Sequence, residues 1–276
     1  MSVTEIETWL RDPYAIYARH VLGCLKLDPL DESTDAADYG SIVHEGLHRF
    51  LREHGSDWQG DVAARLGEAM QRALAEAGLR PALTAWWAPR IARIAAWVAE
   101  TETARRFTGP PVAILSEVKG ACDFARPGGA FTLVGRADRI ERREDGRLAI
   151  LDYKTGTPPS QRDVEAGLAP QLPLEACMAL EGAFGAEWQA EAAELTYWHL
   201  MGGYSPGEVC SLFKGDEARM ADSIAMAGAK LMTLIDSFDD PARCYLSQPH
   251  PARAPRHPQY GQLARVAEWS AAGEDA

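Results

Sequence analysis

The chain has 276 residues, of which 46% are hydrophobic and 25% are charged, and these proportions are ordinary for a globular protein with a substantial core. The formal net charge of −12 argues against a broadly basic surface, so contact with nucleic acid would need a local basic cleft or a partner that holds the strand. No apolar run reaches the roughly 18 to 20 residues that a membrane-spanning helix needs.

Helical patterns fill the first part of the chain. Apolar and aromatic residues recur at helix-like intervals over residues 3–22, and Pro13 is expected to break this stretch into two pieces. Residues 28–39 are acidic and loop-like. Three further helices are predicted at 40–54, 60–78 and 83–106. The N-terminus lacks a basic segment followed by an apolar run, so it does not resemble a secretory signal, and we expect a cytoplasmic protein.

The pattern changes to strands after Gly109. Three strands are predicted at 112–122, 130–142 and 147–154, and Asp145-Gly146 predicts a tight turn between the second and the third. A helix, one or two strands and another helix follow, at 169–183, 192–200, 206–213 and 216–238. This order predicts an α/β domain in which helices cover a mixed β-sheet.

The third predicted strand carries an unusual pair of charges. Side chains in a strand repeat every two residues, so Ile150, Asp152 and Lys154 share one face. A carboxylate and an ammonium group on the core face of a strand need a reason, because unpaired buried charges are costly. Asp138 lies across the predicted turn, and we expect it to approach Asp152.

Two carboxylates and a lysine suit phosphodiester hydrolysis. Asp138 and Asp152 offer the hard oxygen ligands that Mg²⁺ or Mn²⁺ prefers, and the main-chain carbonyl of Tyr153 is a further candidate ligand. Lys154 would orient a water molecule or stabilise the charge that develops in the transition state. The alternative is a structural ion pair between Asp152 and Lys154.

The sequence GRADRIER followed by LAILDYKTG resembles the PD-(D/E)XK nuclease superfamily, in its RecB-like branch. Asp138 matches the first acidic motif of that family, and Asp152 with Lys154 matches the (D/E)xK element. The G-x-x-x-H-x-x-L pattern around His44 implies a helix whose histidine is a metal ligand. Gln171 matches a glutamine that follows the catalytic strand, although Glu175 stands where relatives usually have tyrosine.

The resemblance implies a restriction-endonuclease-like core with an N-terminal helical region. We therefore expect one nuclease domain with a mainly helical part at 1–108, a catalytic α/β core at 109–240 and an irregular tail at 241–276. The implied activity is a Mg²⁺-dependent DNA nuclease, an exonuclease by its resemblance, with Mn²⁺ able to substitute.

The flanking sequences resemble the C-terminal nuclease domain of AddB-type subunits of helicase–nucleases. This resemblance implies a fragment of a larger subunit, an AddA-like partner, single-stranded DNA fed by a helicase, and a role in the recombinational repair of double-strand breaks. An alternative is a catalytically silent DNA-binding or assembly module, and another is a CRISPR-associated RecB-like nuclease.

Several other residues have two interpretations. His44 and His48 lie one helical turn apart and could both bind zinc, but no third ligand is obvious. Glu117 is an acid that supports the metal ligands, an additional ligand, or a solvated edge residue. A cluster of arginines near the turn is either a path for a DNA strand or a solvated face, and its members are Arg136, Arg139, Arg142, Arg143 and Arg147.

The five cysteines are odd in number and widely spaced, which predicts separate thiols rather than a disulfide framework. Some relatives hold an iron–sulfur cluster on four cysteines. Asp12 precedes Pro13 where a cysteine would be expected, and Cys244 is the only cysteine after residue 240, so no cluster is predicted.

Overall fold

A mixed β-sheet organises the molecule, which we describe from a computed structural model over residues 1–25, 36–55, 58–255 and 258–271. Within these residues the sheet has the order β1-β2-β3-β4-β5. Neighbouring strands are antiparallel except for β3 and β4, which are parallel. The strands are β1 (Ala113–Arg126), β2 (Gly129–Arg142), β3 (Leu148–Lys154), β4 (Ala192–Leu200) and β5 (Gly207–Ser211).

Helices flank this sheet, which confirms the predicted α/β fold. They are α1 (Val3–Arg11), α2 (Pro13–Ile16), α3 (Ala36–His54), α4 (Val62–Glu76), α5 (Pro81–Thr108), α6 (Gln161–Glu165), α7 (Gln171–Leu180), α8 (Glu217–Asp239) and α9 (Val266–Ala271). Within the described parts of the chain, none of them is long and apolar enough to cross a bilayer.

Local chemistry sets several helix boundaries. Ser2 and Glu5 form a reciprocal capping box at the start of α1. Pro13 is the first residue of α2, which confirms the predicted break, because proline suits the first turn of a helix and not its interior. The chain continues as a π-helical turn at Tyr17–Val21.

The structure departs from the predicted elements in three places. Ser160 caps a short helix, α6, where no helix is predicted. Helix α3 begins at residue 36, inside the predicted loop at 28–39, whose remaining residues lie outside the described ones. The tail contains α9 and a 3₁₀ turn at Pro251–Arg253 in place of a wholly irregular segment.

Strand β3 is buried on both faces and divides its side chains between two cores. Leu148 and Ile150 pack among residues of α1, α7 and α8. Ala149, Leu151 and Tyr153 pack among residues of α3, α4 and α5 on the other face. A fully buried leucine or isoleucine contributes about 2 kcal/mol, so β3 is held firmly from both sides. The charges at its end therefore have fixed positions.

A buried ion-pair network lies between β2 and α5. The Arg139 side chain is 1% exposed, and its Nη1 donates to Glu102 Oε1 at 2.5 Å. Its Nη2 pairs with Glu141, and Nη1 also donates to the Tyr153 hydroxyl at 3.3 Å. Burial opposes the charged guanidinium, but the charges of Glu102 and Glu141 outweigh it and raise the pKa of Arg139 well above its usual range. The network thereby fixes Tyr153 beside the end of β3.

This network generates a stability prediction. Replacing Glu102→Leu removes one carboxylate from a buried arginine, so we expect the free energy of unfolding to fall by about 3–5 kcal/mol in urea denaturation. The matched control is Glu100→Leu, an exposed residue two positions earlier on α5, for which we expect a change within about 0.5 kcal/mol. Equal losses for the two variants would contradict the assigned role of the network.

Candidate active site

The pairing of β2 with β3 ends just before Asp138 and Asp152. The last ladder pair between them joins Arg139 to Leu151. Asp138 and Asp152 occupy the next position in the same register, at the mouth of the gap between the strands. Both are buried, at 8% and 2% exposure. The sequence turn predicted from Asp145-Gly146 is present, and it aligns the two acids as expected.

The backbone N–H and carbonyl of Tyr153 face this gap, and both form hydrogen bonds with side chains of the site. The Tyr153 N–H donates to Asp138 Oδ2 at 2.7 Å. The Tyr153 carbonyl oxygen lies 2.8 Å from His44 Nε2, which donates to it. Buried backbone groups need partners, so the separation of the strands gives Asp138 and His44 a structural as well as a chemical role.

On both strands of the β1–β2 hairpin, the regular alternation of side chains between the two faces of the sheet is interrupted. On β1, Leu115 and Val118 both pack against the same core although they are three residues apart. On β2, Ala137 and Ile140 show the same spacing. Side chains on one face of a regular strand are an even number of residues apart, so each strand must rotate locally between these residues.

Glu117 and Asp138 lie at this interruption. The β1–β2 register pairs Ser116 with Arg139 and Val118 with Ala137, but it contains no pair for Glu117 and Asp138, which lie between them. Glu117 has a φ of 52°, in the left-handed region that a non-glycine residue rarely adopts. The rotation brings the Glu117 carboxylate to the same histidine that Asp138 contacts.

His44, Glu117 and Asp138 form a candidate metal-binding group. His44 Nδ1 lies 3.3 Å from Asp138 Oδ1 and 3.6 Å from Glu117 Oε1. One ligand atom from each of the three residues lies within 4.8 Å of the others. A nitrogen and hard carboxylate oxygens at this spacing fit a divalent cation, and the Tyr153 carbonyl adjoins the same histidine. This donor set therefore fits the metal that the sequence implies.

Helix α3 reaches the sheet closely enough to place His44. Gly40 lies one turn before His44, and a Cβ atom there would stand 3.1 Å from Thr155 Oγ1, just beyond β3. A side chain there would require Thr155 to give way by a few tenths of an ångström. The glycine of the G-x-x-x-H pattern thus lies where α3 comes close to the end of β3.

A second group adjoins the first. Lys154 Nζ lies 3.0 Å and 2.8 Å from the two Asp152 carboxylate oxygens and donates to Gln171 Oε1 at 2.9 Å. Gln171 Nε2 donates to Asp152 Oδ1 at 2.5 Å and to Glu175 Oε1 at 3.2 Å. Gln171 therefore holds the lysine and the aspartate in one orientation, and Glu175 holds Gln171.

Burial and mutual charge shift the protonation of the site. Burial lowers the pKa of His44, but hydrogen bonds to Asp138 and Glu117 outweigh it and raise the pKa to about 10. Burial and the charge of Asp138 raise the pKa of Asp152 to about 6. Burial, with the charge of Asp152, raises the pKa of Glu175 well above its usual range. The positive charges of His44 and Lys154 both oppose the negative charge of Asp152.

The structure brings the predicted site residues together. His44, Asp138, Asp152, Lys154, Gln171 and the Tyr153 carbonyl all lie at the end of β3. Their catalytic and ligand roles stay predictions. The sequence alone does not decide whether Glu117 lies near the metal or at a solvated edge, and the structure includes it in the candidate metal-binding group. The three-residue spacing of apolar positions on β1 is the sequence signal that marks it.

The remaining candidates have other surroundings. His48 Nδ1 lies 2.9 Å from Ser116 Oγ, so it braces α3 against β1. The interpretation of Arg139 as part of a DNA path is wrong, because its guanidinium is buried against α5. Arg147 pairs with Asp145 and Glu217, whereas Arg136 borders the site and forms an ion pair with Glu117, with Nε 2.6 Å from Oε2.

The protonation of His44 generates a testable prediction. A ring protonated up to pH 10 must lose a proton to bind a metal through nitrogen, so affinity for Mn²⁺ should rise about tenfold per pH unit between pH 7 and 9. Below about pH 6, protonation of Asp152 should weaken binding further. Titration calorimetry in Tris and in HEPES should give different apparent enthalpies, since the buffer takes up the released proton.

His44→Asn should abolish this buffer dependence, and the matched variant His48→Asn should retain it. A wild-type enthalpy that is identical in the two buffers at pH 8 would rule out proton release from His44.

Comparisons with known proteins place the chain in a family. The family description "PD-(D/E)XK nuclease superfamily" matches residues 1–246. An uncharacterized protein of Rickettsia typhi is 31% identical over 210 residues, which are 72% of this chain and 24% of that protein. Another from Rickettsia conorii is 32% identical over 192 residues, which are 67% of this chain and 22% of that protein.

The chain therefore spans less than a quarter of the length of these relatives. The crystal structure of SSO0001 aligns over 82% of this chain and 75% of that chain with 12% identity and a TM-score of 0.31, a similarity too low to support an argument. The family match covers nearly all of the described chain and includes every residue of the site. The chain belongs to the PD-(D/E)XK nuclease superfamily.

Proposed function

We propose that the chain is a Mg²⁺-dependent deoxyribonuclease that hydrolyses phosphodiester bonds. The observation that carries this proposal is the convergence of His44, Glu117 and Asp138 beside the Asp152–Lys154 pair. Family membership supports nuclease chemistry in general, and the hard oxygen donors support magnesium, with manganese able to replace it.

The residues divide the work of hydrolysis between them. His44, Glu117 and Asp138 would hold the cation, with the Tyr153 carbonyl and Asp152 next to them. The bound cation would polarise a phosphoryl oxygen and lower the pKa of a water molecule. The Lys154 ammonium group lies against Asp152, next to these ligands, where it would stabilise the negative charge that develops on the phosphate. Gln171 keeps that ammonium group in place.

The substrate in this proposal is a single DNA strand delivered by a helicase. The flanking sequences resemble AddB-type subunits, and the chain covers only 24% and 22% of two longer relatives. We therefore assign it to a larger subunit that works with an AddA-like partner in the recombinational repair of double-strand breaks. An exonuclease fits such continuous delivery.

A second candidate is a DNA-binding or assembly module that is silent when isolated. The net charge of −12 favours it, because an acidic protein binds DNA weakly unless a partner holds the strand. Strong cleavage by the purified chain at physiological salt would eliminate this candidate.

The central test is cleavage of a labelled single-stranded oligonucleotide with Mg²⁺ or Mn²⁺. We expect Asp152→Ala and Lys154→Ala to lower the rate by about 10²–10³-fold or more, because each removes a group that acts on the metal or the developing charge. Matched controls are Asp222→Ala on α8 and Lys214→Ala after β5, both exposed, which should keep wild-type rates. Wild-type rates in both site variants would refute the proposed function.

A further inference from the structure

Two cations face each other on the β1–β2 hairpin, next to the site. Lys119 and Arg136 are direct partners in the antiparallel register, so their side chains project side by side from the same face. Like charges in this position repel each other. Within the described residues Lys119 has no ion pair or side-chain hydrogen bond, and it is exposed. An anionic ligand between the two cations would relieve this repulsion.

Arg136 connects this pair to the metal-binding group. Its Nε lies 2.6 Å from Glu117 Oε2 in an ion pair, while 58% of its side chain stays exposed. The guanidinium therefore touches a candidate metal ligand and still has surface for a second anion. An arginine fork can bind two oxygens of one phosphate, and an ammonium group beside it adds a point charge.

The two cations border a cavity that opens beside the site. This cavity has a volume of about 750 Å³, and its walls include Lys119, Arg136, Gln171 and Glu175. Arg136 also lines the neighbouring cavity of about 580 Å³ that contains His44 and Asp138. The larger cavity falls in the range of volumes that hold small organic ligands, so it has room for a nucleotide.

We infer that the larger cavity binds the nucleotide next to the cleaved bond, and that Lys119 and Arg136 bind its flanking phosphate. The inference rests on the proposed function, since it places a second phosphate of the same DNA strand. It also explains how a chain with a net charge of −12 can grip DNA locally. Lys119 is a binding residue in this scheme and takes no part in bond cleavage.

The test measures binding without cleavage. Fluorescence anisotropy of a labelled single-stranded oligothymidylate is recorded with the full chain in EDTA, which removes the metal that hydrolysis needs. Lys119→Gln removes the charge and leaves the exposed hairpin position polar. We expect the dissociation constant to rise about tenfold, because a charged hydrogen bond is lost. The slope of log affinity against log salt should fall in magnitude by about 0.7, the value for one phosphate contact in a single strand.

The matched control is Lys214→Gln, an exposed lysine after β5, which should bind with wild-type affinity and salt slope. Thermal melts of both variants check that the fold is intact. Equal affinities for Lys119→Gln and the wild type, or no detectable binding by the wild type, would overturn the inference.

The binding and cleavage experiments distinguish failure of the phosphate site from failure of the proposed nuclease function. If Lys119-dependent binding is present but Mg²⁺ and Mn²⁺ support no cleavage, the proposed function fails and the phosphate site stands. If the wild type cleaves DNA and Lys119→Gln binds normally, the nuclease stands and the phosphate site fails.

Discussion

The site depends on the backbone of one residue, Tyr153, at the point where two strands part. Beyond the pair of Arg139 and Leu151, the backbone of β2 no longer pairs with that of β3. Asp138 accepts from the Tyr153 N–H, and His44 donates to its carbonyl. Because a buried peptide group left without partners is costly, Asp138 and His44 are held at the strand end by the same hydrogen bonds that satisfy the backbone of Tyr153. Both side chains are candidate metal ligands.

The surroundings of Tyr153 make this arrangement rigid. Its ring packs in the core that α3, α4 and α5 form, and its hydroxyl accepts from the buried Arg139. The ion pairs of Arg139 with Glu102 and Glu141 tie β2 to α5 on the same face. Stability and chemistry are coupled here, because a shift of β2 relative to α5 would move Asp138 as well. A fixed donor set would suit the proposed binding of a metal and a phosphate.

Much of the site could be predicted from local sequence. The period of two in β3 places Asp152 and Lys154 on one face, and Asp145-Gly146 turns the chain so that Asp138 meets them. These inferences need only residues that are close in the chain. His44 and Gln171 could be predicted only from the resemblance to a family, because the helices that carry them reach the end of β3 from other parts of the sequence.

The errors and gaps have long-range causes. Arg139 lies among other arginines in the sequence, but its burial depends on Glu102, an acid on a helix far upstream. The sequence does not show where the Glu117 side chain points, because its direction depends on a local rotation of the backbone in both β1 and β2. On both β1 and β2, two apolar residues that face the same core are three positions apart, as the rotation requires. The sequence does not show that the two spacings lie opposite each other, because this depends on the register between the strands.

The most direct measurement is anomalous diffraction from crystals of the protein soaked in Mn²⁺. The account predicts a peak within roughly 2.0–2.3 Å of a His44 ring nitrogen and of carboxylate oxygens from Glu117 and Asp138. The account would be contradicted by a peak elsewhere while His44, Glu117 and Asp138 keep their hydrogen bonds to one another. It would also be contradicted by the absence of a peak at saturating Mn²⁺.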